Sequence, residues 1–81
     1  MKQIQEKVEV ETHPDGLPSQ FRYRERTYLI AQVIDAWKYG GRWWLRESPR
    51  RCYRVQAGHL LAELHAEDIP GGQWWLAAVQ D

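Results

Sequence analysis

Apolar and polar residues alternate at the start of the chain, which is the pattern of strands that place one face in a core. Residues 7–11 and residues 20–24 both alternate in this way. Their apolar members are Val8, Val10, Phe21 and Tyr23. A Pro-Asp-Gly turn signal lies between the two runs, at residues 14–16. The pattern therefore predicts a β-hairpin.

In a longer run at residues 27–38, the residues expected to face inward shift from even to odd positions midway. They are Tyr28 and Ile30 in the first part, and Val33, Asp35 and Trp37 in the second. A bulge near residues 31–32 would bring both sets onto one face, and bulges bend strands as closure into a barrel requires. The glycines at residues 40–41 then predict a turn into a strand at 42–46, followed by a strand at 51–56 that pairs back.

The segment at residues 58–67 is ambiguous, because its leucines are at helical spacing. An internal similarity at an offset of 31 residues favours a strand, since residues 28–45 align without gaps with residues 59–76. Leu29, Ala31, Gly40, Gly41, Trp43, Trp44 and Leu45 recur as Leu60, Ala62, Gly71, Gly72, Trp74, Trp75 and Leu76. The similarity predicts a second hairpin over residues 59–79 and leaves the helix as the alternative.

About seven short strands joined by turns predict an all-β protein, a small antiparallel meander closing into an SH3-like or OB-like barrel. The 81 residues suffice for one such domain, residues 1–81. A core of this size has little stability to spare for a deep catalytic cleft. We therefore expect a protein that is not an enzyme.

The cysteine and histidine residues predict neither an internal disulfide nor a metal site. The one cysteine, Cys52, cannot form an internal disulfide or hold a structural zinc ion alone, which fits a reducing compartment. His59 and His65 share a predicted strand face with two glutamates, but alternate residues lie about 7 Å apart and do not converge on one ion. No stretch approaches the roughly 20 apolar residues of a membrane span, and residues 1–6 lack the apolar stretch expected of a secretory signal. We expect a cytoplasmic chain without membrane contact, metal or cofactor.

The formal net charge of zero hides a basic middle segment between acidic flanks. Residues 20–56 carry nine cations against three acids, whereas the flanks carry eight acids and two lysines. Eight of the eleven cations are arginines, whose planar fork suits phosphate or carboxylate recognition and ion-pair networks. Four of the five tryptophans form adjacent pairs. Because neighbouring residues in a strand face opposite ways, each pair is expected to place one indole inside and one outside.

The predicted hairpin over residues 42–54 combines the excess of arginine with a pair of adjacent tryptophans. Alternation turns Trp44 outward, between Arg42 and Arg46. A ring bordered by guanidinium groups suits single-stranded nucleic acid, because arginines contact phosphates while a base stacks on the ring. A solvated hairpin is the alternative interpretation. The candidate binding residues are Arg42, Trp44, Arg46, Arg50, Arg51 and Arg54.

Other arginines and rings have a structural interpretation. Glu9 and Glu11 face outward from the first predicted strand. There they can form cross-strand ion pairs with Arg22 and Arg24. The rings expected in the core are Phe21, Tyr23, Tyr28, Trp37, Trp43 and one of Trp74 and Trp75.

Several short motifs follow one another in a particular order over about residues 8–81. They are Phe21-Arg22-Tyr23-Arg24, then Tyr28, Ile30, Val33, Asp35 and Trp37, then Gly41-Arg42-Trp43-Trp44, Tyr53-Arg54-Val55, Gly72-Gln73-Trp74-Trp75-Leu76 and Val79. This order resembles a family of small Arg/Trp-rich bacterial domains of unknown function. Similar segments occur as separate proteins and as carboxyl-terminal extensions of inactive Y-family polymerase (ImuB-like) proteins in damage-tolerant DNA synthesis. The resemblance implies an adaptor close to DNA repair and assigns no binding residue.

Two functions remain open at this point. The first is a non-enzymatic module that contacts single-stranded or distorted DNA, with a short footprint because the acidic final quarter would repel a long duplex. The second is a protein-interaction module in which outward tryptophans anchor a polymerase-related protein or a second copy of the chain as a homodimer. Salt dependence separates them, because phosphate contacts weaken steeply with ionic strength.

Overall fold

The computed structural model describes residues 1–40 and 48–80, which form seven antiparallel strands in one curled half-barrel sheet. The strands are β1 (Lys2–Thr12), β2 (Pro18–Tyr23), β3 (Arg26–Leu29), β4 (Gln32–Tyr39), β5 (Arg50–Ala57), β6 (Leu60–Glu67) and β7 (Trp74–Gln80). Their order across the sheet is β3-β2-β1-β7-β6-β5-β4. The all-β prediction is confirmed. The described ranges contain no helix long and apolar enough to cross a membrane.

The chain joins the two edges of the sheet within two residues. The Ile30 N–H donates to the Ser19 carbonyl oxygen of β2 at 3.0 Å, and the Ala31 N–H donates to the Gln56 carbonyl oxygen of β5 at 2.8 Å. Successive N–H groups of an extended chain point to opposite sides, so the chain between edge strands β3 and β4 is hydrogen-bonded to β2 on one side and to β5 on the other. The bend predicted near residues 31–32 therefore closes the curled sheet.

The core lies on the concave side of the sheet. Its buried cluster comprises Val8, Phe21, Tyr53, Val55, Ala57, Ala62, Leu64 and Leu76. Phe21 stacks on Tyr28 with ring centroids 5.1 Å apart, and Tyr53 stacks on Trp74 at 5.7 Å. Tyr23 also packs against the cluster. These predicted core rings are confirmed, while Trp43 lies outside the described residues.

The prediction that Trp37 lies in the core is wrong. Val33 packs against the core, but the register with β5 shifts between Val33 and Asp35. After this shift in register, Trp37 pairs with Cys52 on the outer face of the sheet, and 37% of the Trp37 surface is exposed. A skipped position in a ladder moves the following side chains to the other face.

Residues Leu60–Glu67 form strand β6 despite the helical spacing of the leucines. β6 pairs with β5 on one side and with β7 on the other, so the predicted second hairpin is confirmed. The predicted strand at 42–46 lies outside the described residues. At the ends of β4 and β5, Tyr39 pairs directly with Arg50.

The ion pairs predicted between the first two strands are not formed. Glu9 lies opposite Arg22, but no ion pair joins them among the contacts of the described residues. Glu11 lies opposite Gln20 instead of a cation. Arg24 belongs to the turn between β2 and β3, with its guanidinium 5.1 Å from the centre of the neighbouring Tyr23 ring. The arginines of this hairpin are therefore exposed without carboxylate partners in the described part of the chain.

Candidate nucleic-acid interface

A row of side chains crosses the outer face of β4, β5, β6 and β7. Trp37 lies opposite Cys52, Cys52 opposite His65, and His65 opposite Trp75. Directly opposed residues in antiparallel strands point to the same face, so the four side chains form a continuous ladder. Trp74 packs against the core and the adjacent Trp75 faces outward, which confirms the predicted split of this pair.

Two arginines of β5 lie over the rings at the two ends of the ladder. The Arg50 guanidinium carbon is 4.4 Å from the centre of the Trp75 ring, and that of Arg54 is 5.8 Å from the Trp37 ring. Both distances are within the range of cation–π attraction. Tyr39, opposite Arg50, is 48% exposed. We call these five residues, Trp37, Tyr39, Arg50, Arg54 and Trp75, the Arg/Trp patch.

The two arginines of the patch differ in their electrostatic surroundings. An Arg54 Nη2 atom lies 3.6 Å from Glu63 Oε1, and the other oxygen of Glu63 lies 3.1 Å from His65 Nε2. Arg50 lies opposite Glu67, whose carboxylate instead accepts the Gln73 N–H at 3.0 Å. Within the described residues Arg50 has no carboxylate within ion-pair distance. Arg50 is therefore the patch cation best placed to meet an external anion.

Arg51, a predicted binding residue, has a different environment. Its Nη1 donates to the Tyr53 hydroxyl at 3.4 Å, and its Nε lies 3.5 Å from an Asp68 carboxylate oxygen. Its guanidinium carbon is 5.8 Å from the centre of the Trp74 ring, which packs against the core. Arg51 thus contacts the inner side of the sheet and is not part of the patch.

Sequence and structure overlap only in part at this site. Arg50 and Arg54 are both predicted binding residues and lie together in the patch. The predicted residues Arg42, Trp44 and Arg46 lie outside the described residues. Tyr39 at the end of β4 pairs with Arg50 at the start of β5. The exposed rings of Trp37 and Tyr39 were missed, because their face depends on the bulge after Val33.

The middle of the ladder offers no metal site and no reactive thiol. Among the residues that the structure describes, no group of three or more potential ligands comes together. Burial raises the pKa of the Cys52 thiol above its ordinary value of 9.0; the negative charge of Glu63 adds to this, while Arg50 opposes it. Cys52 therefore stays a neutral, packed thiol.

This pKa shift predicts a pH-dependent stability. Because ionisation is harder in the folded chain than in the unfolded one, the stabilisation is present below the ordinary thiol pKa of 9.0 and is lost as pH rises through the higher folded pKa. We expect the free energy of unfolding of wild type, measured in urea at increasing pH, to fall more steeply in this range than that of Cys52→Ala. Identical pH dependence in the two proteins would contradict the assignment.

Comparison with known proteins gives one match. A family model described as a domain of unknown function (DUF6504) covers residues 1–81. No curated protein and no solved structure matches the chain.

Proposed function

The chain belongs to the DUF6504 family of domains of unknown function, and we propose that it is a non-enzymatic module that binds single-stranded or distorted DNA. The observation that carries this proposal is the Arg/Trp patch, above all Arg50, whose guanidinium carbon lies 4.4 Å from the centre of the Trp75 ring. A guanidinium presents its N–H donors in a fixed planar fork that matches the oxygens of a phosphate.

Exposed aromatic rings supply the second contact that a site for single-stranded nucleic acid needs, a surface on which a base can stack. Trp37 and Tyr39 lie on the outer face of β4, and both are exposed. A base stacked on such a ring is worth about 1–3 kcal/mol and needs no particular sequence, because every base has a π-face. An unpaired or distorted strand offers bases for this contact, whereas an intact duplex does not.

The proposal includes Arg42, Trp44 and Arg46, which follow β4 and precede β5 in the sequence and lie outside the described residues. The resemblance to carboxyl-terminal extensions of ImuB-like proteins supports a DNA-repair setting, with a polymerase-related protein as a further partner of the module.

We expect a labelled single-stranded oligonucleotide to bind wild type at low salt, with an affinity that falls steeply as salt rises. Arg50→Ala is expected to weaken binding about tenfold or more, the effect of losing a charged hydrogen bond. The double variant Arg42→Ala/Arg46→Ala is expected to reduce the salt slope by about 0.7 for each lost phosphate contact. Fluorescence anisotropy at two salt concentrations measures both quantities.

Arg22→Ala is the matched control, because Arg22 is exposed on β2, away from the patch. Its affinity and salt slope are expected to equal those of wild type. The proposal fails if wild type does not bind at low salt, or if it binds no better than the double variant.

The second candidate function is homodimerisation or protein binding through the exposed rings of β4. Among the described strands β4 is an edge strand, and it exposes Ile34, Trp37 and Tyr39 together. Exposed apolar residues on an edge strand favour pairing with another chain. In that case sedimentation equilibrium would show self-association that persists at high salt and is reduced by Tyr39→Lys, while oligonucleotide binding would be absent.

A further inference from the structure

The second edge strand, β3, has backbone groups directed away from the sheet. The Ile30 N–H donates to β2, and every second residue of a strand points the same way, so Tyr28 and Arg26 also hydrogen-bond towards β2. The N–H and C=O groups of Thr27 and Leu29 therefore point to the opposite side. No strand of the described chain pairs with them there.

A groove of about 510 Å³ lies along this edge. One wall is β3, from Arg26 to Leu29, and the other is the turn between β5 and β6, residues 57–60. The groove has an apolar floor, since Leu29 is 69% exposed and Tyr28 and Leu60 also line it. Its volume is within the range of about 300–1,000 Å³ that is usual for ligand sites.

The charges of the groove have one sign. In the described part of the chain, the ionisable side chains that line it are Arg26, His59 and Tyr28, with no carboxylate among them. Arg26 lies 6.0 Å from the centre of the Tyr28 ring and has no ion pair within the described residues. A second copy paired through the same edge would present the same described lining, which brings no carboxylate to Arg26. The lining therefore favours an acidic occupant.

We propose that the β3 groove binds an extended, acidic segment of a partner protein by adding it to the sheet as a strand. The backbone of the segment pairs with Thr27 and Leu29. Its apolar side chains contact Leu29 on one face of the edge, and its carboxylates meet Arg26 on the other. This site is separate from the Arg/Trp patch, so one chain can hold a nucleic acid and a protein at the same time.

The test uses two capped peptides with alternating residues, one Glu-Val-Glu-Val-Glu and one Lys-Val-Lys-Val-Lys. Amide chemical shifts of the full chain are recorded as each peptide is added. We expect the acidic peptide to shift the amides of Thr27 and Leu29 and the lysine peptide to leave them unchanged. Arg26→Glu is expected to reverse this preference.

Thr27→Pro tests the backbone pairing. It removes an N–H that no internal bond uses, and proline is tolerated on edge strands at such positions. We expect this variant to fold and to bind the oligonucleotide as wild type does, but to bind the acidic peptide about tenfold more weakly, because an added strand loses a hydrogen bond and meets the proline ring.

Two results overturn the proposal. One is the absence of binding by the acidic peptide, or binding that Thr27→Pro does not weaken. The other is concentration-dependent dimerisation of wild type that Thr27→Pro abolishes, which would make a second copy of the chain the occupant. A failure of oligonucleotide binding leaves both results readable, because the groove and the patch share no residue.

Discussion

Replacing Phe21 with alanine is expected to lower the free energy of unfolding by about 3–5 kcal/mol. The ring is 1% exposed and stacks on Tyr28 across the β2–β3 pair, opposite Val10 of β1. Its loss leaves a cavity where three strands meet, and the neighbouring backbone is held by the sheet, so the site cannot collapse to fill it. Urea unfolding followed by tryptophan fluorescence measures the change.

The matched control for Phe21→Ala is Leu29→Ala on the neighbouring strand β3. Leu29 is largely exposed, so the expected change is within about 0.5 kcal/mol. Equal losses in the two variants would show that the concave side does not hold the core.

Replacing Gly72 with alanine is expected to cost about 1–3 kcal/mol, the second largest effect that the structure predicts. An added Cβ would lie 2.6 Å from the carbonyl oxygen of Glu67 and 3.0 Å from that of Ile69. Both are backbone atoms, one at the end of β6 and the other in the connection to β7. The Glu67 N–H also donates to the Gln73 carbonyl oxygen there, so relief of the clash would disturb the start of β7.

Gly40→Ala is the control for this substitution. An added Cβ at Gly40 meets no atom of the described residues within 4 Å, so stability is expected to stay within about 0.5 kcal/mol of wild type. Thermal unfolding of both variants gives the comparison. A Gly72→Ala protein as stable as Gly40→Ala would mean that the connection adjusts at no cost.

A strand can be predicted where the local spacing of apolar residues agrees with similarity to another part of the chain. For β6 the two disagree, since the leucine spacing favours a helix while the internal similarity favours a strand. β6 is an inner strand of the sheet, paired along its whole length with β5 and from Leu61 to Ala66 with β7. Tertiary pairing of this kind overrides a weak helix preference.

The face of Trp37 was not predictable, because a bulge leaves no fixed mark in the sequence. Alternation from Val33 onward puts Trp37 inside, and a large apolar residue makes that choice look natural. The register shift after Val33 reverses it. The same shift creates the patch, so the error about the core and the missed site residues have one cause.

The pair Trp74 and Trp75 shows what sequence could establish about the site. Adjacent residues of a strand must face opposite ways, so one outward indole followed from local geometry. That Arg50 would lie over it depends on two intervening strand pairings, β5 with β6 and β6 with β7. Contacts of this kind need the register of the whole sheet.

The pairing of β1 with β7 has a kinetic consequence. Lys2 lies opposite Val79, so the amino-terminal half of the first strand finds its partner only in the last. Every earlier hairpin can form locally, but the sheet becomes continuous only after nearly the whole chain has left the ribosome. Contacts between such distant residues bear the full entropy of loop closure. We expect refolding on the scale of milliseconds to seconds, with the pairing of β1 and β7 as the slow step.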